Sequence, residues 1–285
     1  MSPSQPRTLL AFHAHPDDES SKGAGTVAKY VSQGTDAILV TATGGEAGDI
    51  LNPAMDRPEV ADNLKAVRAQ ELADAAAVIG FKAVEKLGYR DSGMPDSVDN
   101  QRDDAFCNQD RTVVLERLVR LVRRYRPDVV LGYDSHEFYP HPDHLLVHDL
   151  SLQLFEASAD MRRFPESGDP WQIKKMYAPV STKARVQTLH DVMMEQTGSS
   201  PFSVWMERLG TTEEPARKLT RIDVAGFVGQ GRDALRLHKT QVDPDGFWFQ
   251  VPTEVVEAEY PWEDFELLGS RVGWDEGETD LFAGI

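Results

Sequence analysis

Residues 9–19 read LLAFHAHPDDE, a short apolar run followed directly by histidine and acidic side chains. The apolar part predicts a strand over Leu9–Phe12, and Pro16 would end it because proline cannot donate a ladder hydrogen bond. The acidic residues that follow are typical of the first turn of a helix, whose dipole stabilises negative charge. The stretch therefore predicts a strand, a turn and a helix in succession, with polar side chains at the carboxyl end of the strand.

The same succession is repeated along the first 180 residues. Apolar, β-branched runs predict further strands, and apolar residues at helical spacing predict the helices between them. The predicted strands cover Asp36–Thr43, Ala83–Tyr89, Asp128–Tyr133 and Ile173–Pro179, and the predicted helices cover Leu64–Ile79, Arg111–Arg124 and His141–Ala157. Such alternation predicts an α/β fold with a Rossmann-like, mostly parallel sheet and helices on both of its faces.

The last hundred or so residues are less regular and predict an appended C-terminal α/β region. Helices are expected over Thr182–Thr197 and Phe227–Val242, with a strand over Leu219–Val224 between them. We therefore divide the chain into a first domain over residues 1–180 and a C-terminal region over residues 181–285. That region would pack on the sheet or cover the site.

Composition and charge narrow the class of protein. Hydrophobic residues make up 40% of the 285 residues, and 47 acidic against 30 basic side chains give a formal net charge of −17. Such a chain repels a phosphate backbone and anionic lipids, so we expect neither nucleic acid nor a membrane as partner. The sequence favours the cytoplasm, because the single Cys107 cannot form an internal disulfide.

Six of the eight histidines lie in two short segments. The first segment holds His13 and His15. The second, HEFYPHPDHLLVH, holds the other four, which are His136, His141, His144 and His148. Each segment follows the carboxyl end of a predicted strand, where open α/β sheets place their sites. One loop of this composition is just as well a solvated turn or a helix cap, but two of them at the ends of different strands favour a functional site.

The spacing within these segments predicts a metal site. His15 and Asp18 are three residues apart, so a turn of the chain brings both side chains to one point, and His144 can complete a His-Asp-His set. Imidazole and carboxylate ligands suit a catalytic Zn²⁺, which keeps one position open for water. Asp17 would project differently, near the metal but not bound to it.

These motifs resemble those of the LmbE-like, or PIG-L, zinc-dependent N-deacetylases, which share an opening HPDDE motif and a later HPDH. HPDDE alone is moderately specific, whereas HPDDE and HPDH at this distance are a strong signal. The resemblance runs over essentially the whole chain, in HAHPDDESSKGA (13–24), TGGEAGDILNPAMD (43–56), RAQEL (68–72), DSGMP (91–95), YPHPDH (139–144), DALRLHKTQVDP (233–244) and the closing ELLGSR and LFAGI.

The resemblance implies functions for six residues in or beside the two motifs. It implies one Zn²⁺ on the three ligands already named, with Fe²⁺ as the alternative metal. It implies Asp17 as the general base. His141 would stabilise the oxyanion or protonate the leaving amine, and Tyr139 would assist it.

The resemblance also implies that three further residues affect substrate binding. Lys22 follows HPDDESS and would favour a larger conjugate, while Arg68 and Asp91 would hold sugar and inositol hydroxyls. Each has a plainer alternative: an exposed helix lysine for Lys22, a pair with Glu71 on the helix surface for Arg68, and a turn residue before Ser92 for Asp91.

The resemblance implies a zinc-dependent hydrolase that would cleave the amide bond of mycothiol S-conjugates to a mercapturic acid and glucosaminyl-inositol. This reaction would serve detoxification or a natural-product thiol pathway, so the expected partner is a small-molecule thiol conjugate. The sequence leaves open whether the protein forms a homo-oligomer. Two alternatives remain: an N-acetylglucosaminyl-inositol deacetylase of mycothiol biosynthesis, and a non-catalytic polyol-binding module on the same fold.

Overall fold

The computed structural model describes residues 6–135, 139–209 and 216–285. In these residues the strands are β1 (Thr8–His13), β2 (Asp36–Thr43), β3 (Ala83–Tyr89), β4 (Val129–Leu131), β5 (Lys175–Val180), β6 (Leu219–Asp223) and β7 (Trp262–Ser270). They form one sheet in the order β3-β2-β1-β4-β5-β7-β6. Neighbours from β3 to β5 are parallel, whereas β7 is antiparallel to both β5 and β6. The predicted α/β fold with a mostly parallel sheet is confirmed.

The helices of the described residues are α1 (Asp18–Ser21), α2 (Ala24–Ser32), α3 (Pro58–Ala61), α4 (Leu64–Ile79), α5 (Arg111–Tyr125), α6 (Pro142–Ala157), α7 (Lys183–Thr197), α8 (Ser203–Leu209), α9 (Val228–Arg236) and α10 (Thr253–Glu259). Short 3₁₀ helices cover Val98–Gln101, Phe106–Asn108, Pro165–Ser167 and Phe247–Phe249. None of the helices in these residues combines the length and the apolar character that a membrane crossing requires.

Strand β1 shows why the central strands are apolar throughout. Leu10 and Phe12 face a core layer that includes residues of α5 and α6. Leu9 and Ala11 face a second layer that includes residues of α2, α4 and α9. Because helices cover both faces of the sheet, the central parallel strands β1, β2 and β4 are buried on both sides and are largely apolar.

Several predicted elements agree with the structure at both ends, most others differ by one or two residues at an end, and one helix ends well before its predicted end. Strands β2 and β3 and helix α4 begin and end where the sequence predicts, and Gly80 ends α4 in the left-handed conformation at φ +96°. The predicted helix over Phe227–Val242 is too long, because α9 ends at Arg236. The residues after it instead make contacts with three other segments of the chain, described below.

The C-terminal region contributes β6 and β7 to the same sheet. Strand β7 was not predicted, because acidic residues interrupt its apolar ones. One of them, Asp264, is buried and accepts hydrogen bonds from Thr182, Tyr260 and Arg221. Two of these partners, Thr182 and Arg221, are distant in sequence and leave no local pattern. The division of the chain at residue 180 stays a prediction.

Candidate metal and catalytic site

The candidate site lies where the segments after β1 and β4 meet. These strands are neighbours, but the sheet continues to β2 on one side and to β5 on the other. Such a switch point opens a crevice at the carboxyl ends of the strands. The segment after β1 carries His15 and Asp18, and the segment after β4 leads to His144 in the first turn of α6.

Three buried ligand atoms converge in this crevice. His15 Nδ1 lies 3.5 Å from Asp18 Oδ2, and His144 Nε2 lies 3.4 Å from the same oxygen. The two nitrogens are 3.2 Å apart. Ligands arranged tetrahedrally at about 2.0–2.1 Å from Zn²⁺ are separated by roughly 3.3 Å. The group can therefore hold a metal ion; zinc fits, and Fe²⁺ can use the same donors. The assignment of each ligand stays a prediction.

Two carboxylates lie near Nε2 of His15, the ring nitrogen that does not belong to the candidate metal-binding group. Nε2 of His15 lies 3.1 Å from Asp143 Oδ2 and 3.5 Å from Asp91 Oδ1. Asp143 is fully buried and accepts hydrogen bonds from the backbone N–H and the hydroxyl of Ser92. A carboxylate in this position fixes the tautomer and the orientation of a metal-binding imidazole. Asp143 is not among the site residues predicted from the sequence, although its place between the histidines of HPDH was a usable signal.

Asp91 lies inside the site and also closes a turn. Its Oδ1 accepts a hydrogen bond of 2.8 Å from the backbone N–H of Gly93, as the turn alternative predicts. The backbone N–H of Ala47 donates to Oδ2 at 3.3 Å, and Nε2 of His141 lies 4.0 Å from Oδ1. Its predicted contact with substrate hydroxyls stays a prediction.

Asp17 stands beside the ligands in an unusual backbone conformation. Its φ of +109° is one that residues other than glycine rarely adopt, and it costs on the order of 1–3 kcal/mol. The side chain is 27% exposed, and Oδ2 accepts a hydrogen bond of 3.1 Å from Arg68. Burial raises the pKa of Asp17 to about 6, although Arg68 counteracts the effect.

Arg68 is buried rather than placed on the surface of α4. One guanidinium nitrogen donates to Pro16 O at 2.6 Å as well as to Asp17, and the other donates to the carbonyl of Gly45. A Cβ at position 45 would overlap the guanidinium, and the φ of Gly45 is +68°, so only glycine fits there. The alternative pair with Glu71 is wrong, since Glu71 accepts hydrogen bonds from Thr240.

His141 is the N-cap of α6. Its Nδ1 accepts the backbone N–H of Asp143 at 3.2 Å, which leaves the proton of a neutral ring on Nε2. Burial and the neighbouring His15 lower the pKa of His141 to about 4. The rings of His141 and His15 lie 4.5 Å apart, so Nε2–H is a donor within the crevice.

Tyr139 and Lys22 occupy different positions around the ligands. Tyr139 is 46% exposed; its hydroxyl lies 3.4 Å from Met94 Sδ, and its ring is 5.3 Å from that of His144. Lys22 donates a hydrogen bond of 2.8 Å to Asp18 Oδ1, the oxygen that does not face the two histidines. Lys22 is therefore not a free surface lysine. Its effect on substrate choice stays a prediction.

Two further residues lie behind the site. Glu19 and His238 are both buried, and His238 Nε2 lies 2.6 Å from Glu19 Oε1. The remaining histidines of the two segments are His13 and His148, which hydrogen-bond with the hydroxyl and the carbonyl of Tyr133, and His136, which lies outside the described residues.

Comparison with known proteins gives consistent matches. The family model of PIG-L, described as GlcNAc-PI de-N-acetylase, matches residues 10–155, which contain both histidine motifs. Mycothiol S-conjugate amidase of Streptomyces coelicolor is 40% identical over 284 residues, which cover 97% of each chain. The 1D-myo-inositol 2-acetamido-2-deoxy-alpha-D-glucopyranoside deacetylase of Streptomyces avermitilis is 36% identical over 292 residues, which cover 98% of this chain and 97% of that one.

Solved structures share the fold. N,N'-diacetylchitobiose deacetylase from Pyrococcus horikoshii has a TM-score of 0.62 at 19% identity, with 92% of this chain and 84% of that chain covered. The zinc-inhibited form of teicoplanin deacetylase Orf2 has a TM-score of 0.56 at 15% identity, with 93% and 100% covered. At these identities the likeness is one of architecture.

Proposed function

Because the chain belongs to the PIG-L family, we propose that it hydrolyses the amide bond of mycothiol S-conjugates to a mercapturic acid and glucosaminyl-inositol. The family that the sequence motifs resemble is thereby confirmed, and the chain is an amide-bond hydrolase of the amidase and deacetylase class. The choice of substrate rests on the 40% identity, over 97% of both chains, to a relative named mycothiol S-conjugate amidase. The substrate is then a small thiol conjugate, which we expect the enzyme to meet in the cytoplasm.

The metal in this proposal is Zn²⁺ on His15, Asp18 and His144, with Fe²⁺ as the alternative. When bound, zinc would supply a Lewis acid that acidifies water and polarises the amide carbonyl. The contacts of 3.2–3.5 Å among the three donor atoms support the assignment. Asp143 would keep His15 in the tautomer whose Nδ1 is free to bind the metal.

Asp17 would act as the general base. Arg68 holds Oδ2, so we assign to Oδ1 the proton that the attacking water loses. A carboxyl whose pKa lies at about 6 is mostly ionised at neutral pH and still accepts a proton readily, which suits this role. The buried guanidinium of Arg68 is already bonded to Pro16 and Asp17, which favours positioning of the base over direct contact with hydroxyls.

His141 would stabilise the developing oxyanion as a neutral hydrogen-bond donor. Its Nδ1 is occupied by the N–H of Asp143, so Nε2–H is the group available to the substrate. Protonation of the ring would cost this capping bond, and the lowered pKa also favours the neutral form. Removal of one such donor typically slows catalysis by about 100-fold or more. Tyr139, at the exposed edge of the site, would add its hydroxyl to the same oxygen.

Two further residues would shape substrate choice. Lys22 carries its ammonium against Asp18, between the metal ligands and the solvent, where it can contact the S-linked part of a larger conjugate. Asp91 presents a carboxylate beside His141, where it can accept a hydroxyl of the sugar or inositol.

A second candidate is N-acetylglucosaminyl-inositol deacetylation, which the 36% identity to the Streptomyces avermitilis deacetylase supports. The two reactions require the same metal and base, so only substrate preference separates them. We therefore propose parallel turnover of a mycothiol–bimane conjugate and of N-acetylglucosaminyl-inositol by the zinc-loaded protein. We expect kcat/KM for the conjugate to be higher by on the order of 100-fold.

The opposite preference would establish the deacetylase. Full zinc content without hydrolysis of either amide would instead favour a non-catalytic polyol-binding module. The Asp17→Asn variant, purified in the same way, is the background control, and turnover by the wild-type protein should exceed its turnover by about 10²- to 10⁴-fold, the usual contribution of a general base.

A further inference from the structure

Glu19 and His238 form a buried hydrogen-bonded pair between two distant parts of the chain. Glu19 belongs to α1, directly after Asp18, whereas His238 follows α9 and is 219 residues away. Their atoms Oε1 and Nε2 are 2.6 Å apart, and neither side chain is exposed. The Ser20 hydroxyl donates to the same Oε1 at 2.6 Å. A buried carboxylate requires such donors, so His238 holds Glu19 in one position.

The second oxygen of Glu19 acts on the backbone of Asp17. Oε2 accepts the N–H of Asp17 at 3.0 Å. This is the residue whose φ is +109°, a conformation that persists only where the surrounding structure enforces it. The backbone conformation determines where the Asp17 carboxylate points, and Glu19 is one of the groups that enforce it.

The residues next to His238 hold other parts of the site. Thr240 donates to Glu71 through its backbone N–H and its hydroxyl, and Glu71 lies one turn after Arg68 on α4. The side chain of Gln241 donates to Asp49 O, in the segment that follows β2. Residues 238–241 thus contact the HPDDE segment, α4 and the segment that follows β2.

We propose that His238 is a positioning residue for Asp17: it holds the carboxylate of Glu19, which fixes the backbone from which Asp17 projects. This inference rests on the proposed function of Asp17 as the general base. His238 contacts Glu19 rather than the candidate metal ligands, so its loss changes the orientation of the base and leaves the donor set for the metal in place.

The test compares two substitutions of similar size. In His238→Gln the amide nitrogen can replace Nε2 as the donor to Glu19, whereas in His238→Leu no donor remains. We expect His238→Leu to lower kcat by about 10- to 100-fold, with KM within about twofold of wild type and full metal content, because small misplacements of catalytic groups have effects of this size. His238→Gln should recover most of kcat. His190→Leu on α7 is the matched control, and we expect it to behave as wild type.

Amide hydrogen exchange of Asp17, followed by NMR, gives a readout that needs no substrate. We expect exchange to be faster in His238→Leu and close to wild type in His238→Gln and His190→Leu. Unchanged exchange in His238→Leu, or an equal loss of kcat in His238→Leu and His238→Gln, would overturn the proposal.

If His238→Leu does not fold, Glu19→Gln replaces it. The single oxygen of the glutamine amide cannot accept hydrogen bonds from both Asp17 and His238, so kcat should fall and the exchange of the Asp17 amide should become faster. No change in either quantity would overturn the proposal. A wild-type protein that hydrolyses no amide refutes the proposed function instead, and the exchange result is independent of it.

Discussion

Arg68 and Asp17 form an ion pair inside the molecule, with Nη2 of Arg68 3.1 Å from Oδ2 of Asp17 and the arginine only 2% exposed. The same guanidinium donates to the carbonyl oxygens of Pro16 and Gly45. A planar guanidinium can serve several acceptors in a fixed geometry, whereas a lysine ammonium is a point charge on a flexible stem. The pair therefore links α4 to the segment that carries the proposed base.

Arg68→Lys tests whether this arginine positions the base or contacts the substrate. If it positions Asp17, we expect kcat to fall by about 100-fold while KM changes little, because the charge is kept but the orientation is lost. A rise in KM at constant kcat would show contact with substrate hydroxyls instead. Gln70→Ala, an exposed change two residues along the same helix, should leave both constants unchanged.

Asp17→Asn tests the general base. Asparagine tolerates a positive φ better than most residues, so the variant should fold and keep its metal. We expect kcat to fall by about 10²- to 10⁴-fold, the usual contribution of general-base catalysis, because the amide cannot accept the proton from water. Metal analysis beside the activity assay checks both statements. Full activity in Asp17→Asn would refute the role.

His144→Ala should lose metal and activity together. Its Nε2 supplies one of the three convergent donors, and removal leaves two protein ligands where catalytic zinc sites have three. We expect less than stoichiometric zinc after dialysis and turnover at background level. Chelation of the wild-type protein should have the same effect, and added Zn²⁺ should restore activity to the wild-type protein alone. Stoichiometric zinc in dialysed His144→Ala would show that the ligand set is wrong.

The central strands of the parallel half of the sheet were predictable because they are buried on both faces. Asp36–Thr43 and Ala83–Tyr89 begin and end in the structure where the sequence predicts. Adjacent carboxyl ends of β1 and β4 then account for the meeting of the two histidine segments. For a fold with this strand order, the local sequence pattern and the general rules for crossovers and switch points are enough to locate the site.

What could not be predicted depends on partners that are far apart in sequence. Arg68 has helical neighbours that suit an exposed position, and its burial follows from carbonyl oxygens at Pro16 and Gly45. Glu19 looks like an ordinary first-turn acid until His238 is placed against it. Each of these polar groups is buried only because its partner is buried with it, so neither residue alone carries the signal.

The need of a buried charge for a buried partner also predicts how a third pair, Lys175 and Glu278, affects the stability of the protein. Lys175 Nζ lies 2.6 Å from Glu278 Oε2, both side chains are almost fully buried, and Tyr177 and Thr220 donate to the other oxygen of Glu278. Glu278→Ala would leave the ammonium without its counter-charge, and we expect the free energy of unfolding to fall by about 3–5 kcal/mol. Urea denaturation measures this free energy in the wild-type protein and in the variant.

The double variant Lys175→Met, Glu278→Leu is the control, because it removes both charges and keeps apolar volume. We expect it to recover most of the lost stability, since a buried ion pair and an apolar pair of similar size are often close in free energy. Lys175 begins β5, at the amino edge of the sheet and therefore opposite the candidate site, so kcat of the folded protein should not change in either variant. A double variant as unstable as Glu278→Ala would mean that packing around Tyr177, rather than the unpaired charge, sets the cost.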